Sequence, residues 1–208
     1  MAKKYIFSGY TRVRIKTAMD AEIVRSDTFS IDAETGPLSP IKIRQKGDAL
    51  TISRPWHWFV FGFFFQLSRA NVKIGMPELQ ELRVSGNSSA GVAGFDSSNE
   101  FKLTLSETSS FGGNLKTGAA RLDISGGSQA EFNGSSSNLF LRVKDSSSFA
   151  ANINVDGNTE IEVFSNSAIS LTGSAGNILA DISNVSNADM GGSLGVDRVV
   201  QAMKDTGS

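Results

Sequence analysis

Cysteine is absent from the 208-residue chain, histidine occurs once, and there are only four prolines, two tryptophans and two tyrosines. Without cysteine there are no disulfides, thiol nucleophiles or cysteine-ligated zinc and iron–sulfur centres. His57 alone excludes multi-histidine metal sites, while carboxylate and hydroxyl chemistry stay open. No metal or cofactor is expected. A net charge of −1 supplies no field to attract nucleic acid, so none is expected as a partner. The balance conceals an asymmetry. Residues 1–80 carry 12 Lys+Arg against 7 Asp+Glu, and residues 81–208 carry 8 against 14. The basic front part could contact anionic lipid or polysaccharide, although a solvated mixed surface explains it equally simply. The start, Met1-Ala-Lys-Lys-Tyr-Ile-Phe7, lacks an apolar core of signal-peptide length. That predicts either a cytoplasmic protein or a chain whose leader has been removed.

What the chain does have is a repeat. The second apolar residue of each short strand falls at Val84, Leu105, Ile124, Val143, Val163 and Ile182, at steps of 21, 19, 19, 20 and 19 residues. Four positions later stands a serine in every repeat: Ser88, Ser109, Ser128, Ser147, Ser167 and Ser186. Six positions later come Ala90, Phe111, Ala130, Phe149, Ile169 and Ala188, the first four alternating small and large. Within each segment, as in Leu122-Asp-Ile-Ser, apolar and polar residues alternate with the period of a strand. Such a strand cannot bury its apolar face alone, but coiling the chain stacks equivalent strands around a thin core. Turns such as Ser85-Gly-Asn, Ser125-Gly-Gly and Phe164-Ser-Asn use residues that tolerate positive φ. The expected fold is all-β: a single-stranded right-handed parallel β-helix with coils of about 20 residues.

The six serines could suggest a nucleophile, but no histidine lies in the repeat to activate one. Hydroxyls bonding stacked backbone at each corner explain all six as a structural ladder. The outward column Arg83, Thr104, Asp123, Arg142, Glu162, Asp181 predicts a partial charge ladder through Asp123–Arg142–Glu162. Acids are otherwise scattered over different repeat positions, and only Glu162 and Asp181 stack on adjacent rungs. No catalytic residue is assigned.

Residues 1–80 read as an irregular strand-rich cap or set of first coils. Its candidate strands are 4–7, 12–17, 21–25, 29–33, 41–45, 49–53 and 71–74. Residues 81–195 form the regular rungs of the same continuous domain, and 196–208 a closing tail. Inside the front part, residues 56–67 concentrate Trp56, Trp58, Phe59, Phe61, Phe63, Phe64 and Phe65. This stretch is too short to span a bilayer as a helix, which takes roughly 20 residues. It is expected either to plug the end of the coil or to mediate self-association, partner binding or membrane-interface contact.

The strand opening Phe7-Ser-Gly-Tyr-Thr-Arg-Val13, then Met76-Pro-Glu-Leu79 followed by Leu82-Arg-Val-Ser-Gly86, then serial Gly/Ser/Asn-rich rungs, resemble the bacterial auto-transporter adhesin head GIN domain family. The resemblance covers nearly the whole chain. It implies a single-domain β-helix protein, usually exported to the cell envelope, with no established enzymatic activity and no catalytic residues to carry over. The expected function is therefore a non-catalytic adhesin-like binding or self-assembly module. Its partner would be a protein or polysaccharide surface, or a second copy held through the aromatic segment or the coil ends. Two alternatives stay open at this point: a carbohydrate-active β-helix enzyme using Glu162 and Asp181, and a cytoplasmic polymerising scaffold.

Overall fold

A computed structural model describes residues 2–34, 41–54, 69–184, 187–191 and 193–194. The aromatic segment 56–67, Ser186 and the tail from 196 lie outside the described residues.

From Glu81 onward the coils follow one another in chain order. Strands β8 (Glu81–Ser85), β9 (Ser89–Asp96), β10 (Glu100–Leu105), β11 (Ser110–Ile124), β12 (Gln129–Val143), β13 (Ser148–Val163), β14 (Ala168–Ile182), β15 (Asn187–Met190) and β16 (Ser193–Leu194) make up this part. Every long strand bends once and so contributes to two faces of a β-solenoid, and all its pairings are parallel. The stacking register is the one the repeat predicts. Val84, Leu105, Ile124, Val143, Val163 and Ile182 are successive partners. Ala90, Phe111, Ala130, Phe149, Ile169 and Ala188 form a second column. Phe111 stacks between Ala90 and Ala130, and Phe149 between Ala130 and Ile169, so each ring has at least one small neighbour in the core.

The corners share one backbone solution. Two successive residues adopt positive φ: Gly86 and Asn87 at 70° and 56°, Gly126 and Gly127 at 66° and 70°, Ser165 and Asn166 at 59° each. Glu107 and Thr108 adopt it too, at 57° and 60°, although a β-branched residue is ill suited to that region. Neighbouring corners hold one another: Asn87 N–H donates to Glu107 O at 2.9 Å and Thr108 N–H to Gly126 O at 2.8 Å. Cooperation between coils thus sustains a conformation that local propensity disfavours at Thr108.

The front part contains all seven expected strands: β1 (Ala2–Tyr5), β2 (Arg12–Lys16), β3 (Met19–Arg25), β4 (Ser30–Glu34), β5 (Lys42–Lys46), β6 (Ala49–Ser53) and β7 (Ala70–Met76). Their order in space differs from their order in the chain. On one face the sheet runs β5-β6-β2-β8-β10, and on the other β1-β4-β7-β3-β9-β11. The coil made by β2 and β3 therefore lies between the later coil of β6 and β7 and the first regular rung. Strands β5 and β4 pair antiparallel with β6 and β7, and β1 pairs antiparallel with β4. These reversed strands cover what would be the open edge of the outer coil.

This arrangement requires the chain to pass over one coil between β7 and β8, and Met76-Pro-Glu-Leu79-Gln80 makes that crossing. Ser26 N–H donates to Met76 O at 2.9 Å, and Gln80 N–H donates to Thr11 O at 2.8 Å, tying both ends of the crossing to the coil beneath. Leu79 is buried there. Tyr10 is fully buried against Phe29, with ring centroids 4.8 Å apart. Its hydroxyl donates to Gly75 O at 3.4 Å, and burial pushes the phenol up to about 12.

Candidate interaction surfaces

The described corner serines link neighbouring coils. Ser88, Ser109, Ser128, Ser147 and Ser167 are all buried. Each hydroxyl from Ser109 onward accepts the backbone N–H of the corner serine one coil earlier. The N···Oγ distances are 3.4 Å to Ser109, 3.2 Å to Ser128, 3.1 Å to Ser147 and 3.3 Å to Ser167. Ser88 Oγ extends the column into the front part by accepting Met19 N–H at 3.3 Å. Removing one hydroxyl would orphan a buried N–H, which costs about 1–3 kcal/mol.

The two flat faces differ in chemistry. The face carrying β9 and the first halves of β11–β14 presents small, mostly uncharged side chains, among them the column Asn114, Asn133, Asn152 and Thr172. The opposite face is charged. One outward column reads Arg44, Thr51, Arg14, Arg83, Thr104, Asp123, Arg142, Glu162, Asp181 across nine strands. The expected ladder is present at Arg142–Glu162, where Nε and Oε2 lie 2.6 Å apart. That carboxylate, with Asp123 and Glu160 nearby, raises the Arg142 guanidinium further above its usual value.

A neighbouring column supplies further pairs. Glu100 accepts from Lys102 at 2.9 Å and from Arg121 at 3.3 Å, and the two cations hold its carboxyl below the usual carboxylate range. Arg121 also lies over the Phe140 ring, 4.4 Å from its centroid. Glu81 joins Arg83 and reaches Arg12 at 4.0 Å. Glu81, Arg83, Lys102, Arg121, Phe140 and Arg142 line a shallow open groove of about 340 Å³. In the column from Arg44 to Asp181, Glu162 and Asp181 are register partners, but Glu162 is committed to Arg142. Among the described residues, no three acidic, histidine or cysteine side chains are grouped to hold a metal.

At the β5 end of the same face lies a feature that the sequence reading passed over. Lys42, Arg44 and Lys46 point outward from β5, and Arg12, Arg14 and Lys16 from β2, with β6 between them. The signal was present as Arg12-Val-Arg-Ile-Lys16 and Lys42-Ile-Arg-Gln-Lys46, in which cations recur at every second position. Their convergence depends on the interleaved coil order, which no local pattern encodes.

Solved structures share this architecture. A structure described as a "putative adhesin" from Parabacteroides distasonis superposes with a TM-score of 0.71 at 16% identity, covering 98% of this chain and 92% of that one. A "putative adhesin" from Parabacteroides merdae gives 0.71 at 16% identity, covering 98% and 93%. One from Bacteroides fragilis gives 0.56 at 12% identity, covering 93% and 95%. At such identities the likeness is one of fold. No curated protein is similar enough in sequence to count as a relative. The family described as "Putative auto-transporter adhesin, head GIN domain" matches residues 9–193, and the chain belongs to that family.

Proposed function

We propose that this chain is a non-catalytic, adhesin-like binding module of the bacterial cell envelope, presenting a rigid charged sheet face to a partner. The observation that carries the reading is the outward column from Arg44 to Asp181, in which seven of nine stacked strands present a charged residue. A solenoid held by in-register coils offers a preorganised surface, so binding costs little ordering of the backbone. Two further observations support it. The buried serine hydroxyls of the ladder accept backbone hydrogen bonds between coils, and the stacked acids Glu162 and Asp181 do not form a free carboxylate pair.

The test is a panel of envelope and extracellular polysaccharides and matrix proteins, scored for both retention and turnover by the full chain. Retention without turnover is expected. Turnover of a polysaccharide that is abolished by Asp181→Asn would overturn the reading in favour of an enzyme. Segment 56–67 is a second candidate contact element. Replacing Trp58, Phe61 and Phe64 by Ser is expected to leave the coil folded while lowering self-association or liposome binding.

A further inference from the structure

We propose that strands β5, β6 and β2 form a trough for a single strand of linear acidic polysaccharide, lying along the strand direction between two rows of cations. This proposal rests on the binding-module reading and assigns it a site and a ligand class.

The geometry follows from the register. Lys46, Arg44 and Lys42 of β5 face Ala49, Thr51 and Ser53 of β6. On the other side of β6, Arg12 and Arg14 face Ala49 and Thr51, and Lys16 continues the row. With neighbouring strands ~4.8 Å apart, the two cationic rows stand ~9.6 Å apart, and cations within a row follow every ~6.8 Å. The strand between them carries only small uncharged side chains on its outward side. Ala49, although on that side, is only 9% exposed, so it sits sunk between long neighbours. Cations line the rims, and a neutral floor separates them.

The cations are also available. Asp48 is paired with Arg12, which holds its carboxyl low. Among the described residues, Lys42, Arg44, Lys46, Arg14 and Lys16 make no ion pair, whereas Arg83, Lys102, Arg121 and Arg142 further along the face are all paired. The Arg14 Nε is shielded from water and has no hydrogen-bond partner. At 0.1 M salt the screening length is ~10 Å, so both rows act on one ligand lying between them.

A chain of uronate rings, with one carboxylate per sugar, matches this pattern. Its carboxylates can reach guanidinium and ammonium groups on either rim, while its ring hydroxyls meet Thr51 and Ser53 on the floor. A duplex is too wide for the trough, and a planar bilayer would touch the rims alone.

The experiment titrates the full chain with polygalacturonate at low salt, with neutral dextran as the control polymer. Vesicles of phosphatidylglycerol and phosphatidylcholine form a parallel arm. Arg14→Gln with Arg44→Gln is compared with Lys116→Gln with Lys144→Gln, which removes the same charge outside the trough. Circular dichroism verifies that both variants are folded. Polygalacturonate binding is expected to weaken about tenfold in the first variant and to change less than twofold in the second, with affinity falling steeply as salt rises. Equal weakening in both variants would reduce the effect to net charge and overturn the site. Loss of vesicle binding without any polygalacturonate binding would assign the trough to a lipid surface instead. A native dimer that dissociates in the first variant would assign it to the acidic end of a second copy. If the chain binds other polymers through an unaltered affinity in Arg14→Gln/Arg44→Gln, the trough is wrong and the binding-module reading survives. If the chain binds nothing in either panel, both fail.

Discussion

In the regular part, from Glu81 to Ile182, successive coils stack in chain order, and in the front part, from Ala2 to Met76, they do not. In both regions the coils bury alternate apolar residues and pair in parallel along the solenoid, although the front strands are 4–7 residues long and β11–β14 are 15 or 16. They differ in what determines each neighbour. In the regular part a strand's neighbour lies about 20 residues away and carries the same pattern, so sequence periodicity and spatial order coincide. In the front part β2 is flanked by β6 and β8, from 37 and 69 residues further on. Its place is set by burial and hydrogen bonding across the crossing at Met76–Gln80 instead. A repeat therefore encodes a fold locally, and interleaving encodes it only through long-range contacts.

The largest expected effect probes the regular region. Phe132 is fully buried between the β11 and β13 coils, opposite Gly113 and Ala151. Phe132→Ala should cost about 3–5 kcal/mol, because the flanking small residues cannot close the void. If stability in stacked coils is a sum of nearest-neighbour terms, hydrogen exchange should accelerate over 111–163 and change little over 12–25. Uniform acceleration over both regions would show that they unfold as one unit and erase the distinction.

The legibility of the sequence divides along the same line. The corner serines, the alternating Ala90/Phe111/Ala130/Phe149 column and the Arg142–Glu162 rung were all readable, since each occupies one position in a visible period. The seven front strands were readable too, because Val13, Ile15, Ile23, Ile31 and Ile52 alternate with polar residues and are buried. Their order was not. Alternation fixes which side of a strand faces the core and says nothing about which strand lies beside it. The cationic trough was hidden for that reason: its two halves stand 30 residues apart and meet only across β6.

An intermediate effect tests the crossing. A Cβ added at Gly75 would lie 2.5 Å from Ser30 Oγ and 3.3 Å from Ser26 Cβ, where β7 is squeezed between β3 and β4. Ser30 Oγ can rotate away while Ser26 Cβ must give slightly, so Gly75→Ala should cost about 1 kcal/mol, the low end of overpacking. Thermal denaturation would measure it, and Gly75→Ala with Ser30→Gly should recover part of the loss. In contrast to Phe132→Ala, the exchange rates should rise over 12–34 and 70–76. A loss confined instead to the rungs beyond Glu100 would contradict the nearest-neighbour picture from the other side.

The smallest effect concerns charge. On the strands of the regular region the described outward cations Arg83, Lys102, Lys116, Arg121 and Arg142 are paired, whereas in the front part most of those on β5 and β2 are not, so acid should act on the first more than the second. Glu100 illustrates the sign. Lys102 and Arg121 hold its folded-state carboxyl below the ordinary value of 4.5. A depressed carboxyl contributes stability that is present above its unfolded value and is lost as pH falls through the folded one. Because the side chain is 38% exposed, water screens the pairs, and each is worth only about 0.2–1 kcal/mol. Glu100→Gln should therefore melt slightly below the native chain at pH 7, with the gap closing as the pH is lowered below 4.5 toward the folded value. Arg14→Gln, which removes a cation with no ion pair, should show a smaller closing gap, since Asp48 feels Arg14 only at a distance and is held low chiefly by Arg12. If its melting temperature instead tracked Glu100→Gln across this range, the cations of the trough would be engaged within the protein and not free for a ligand.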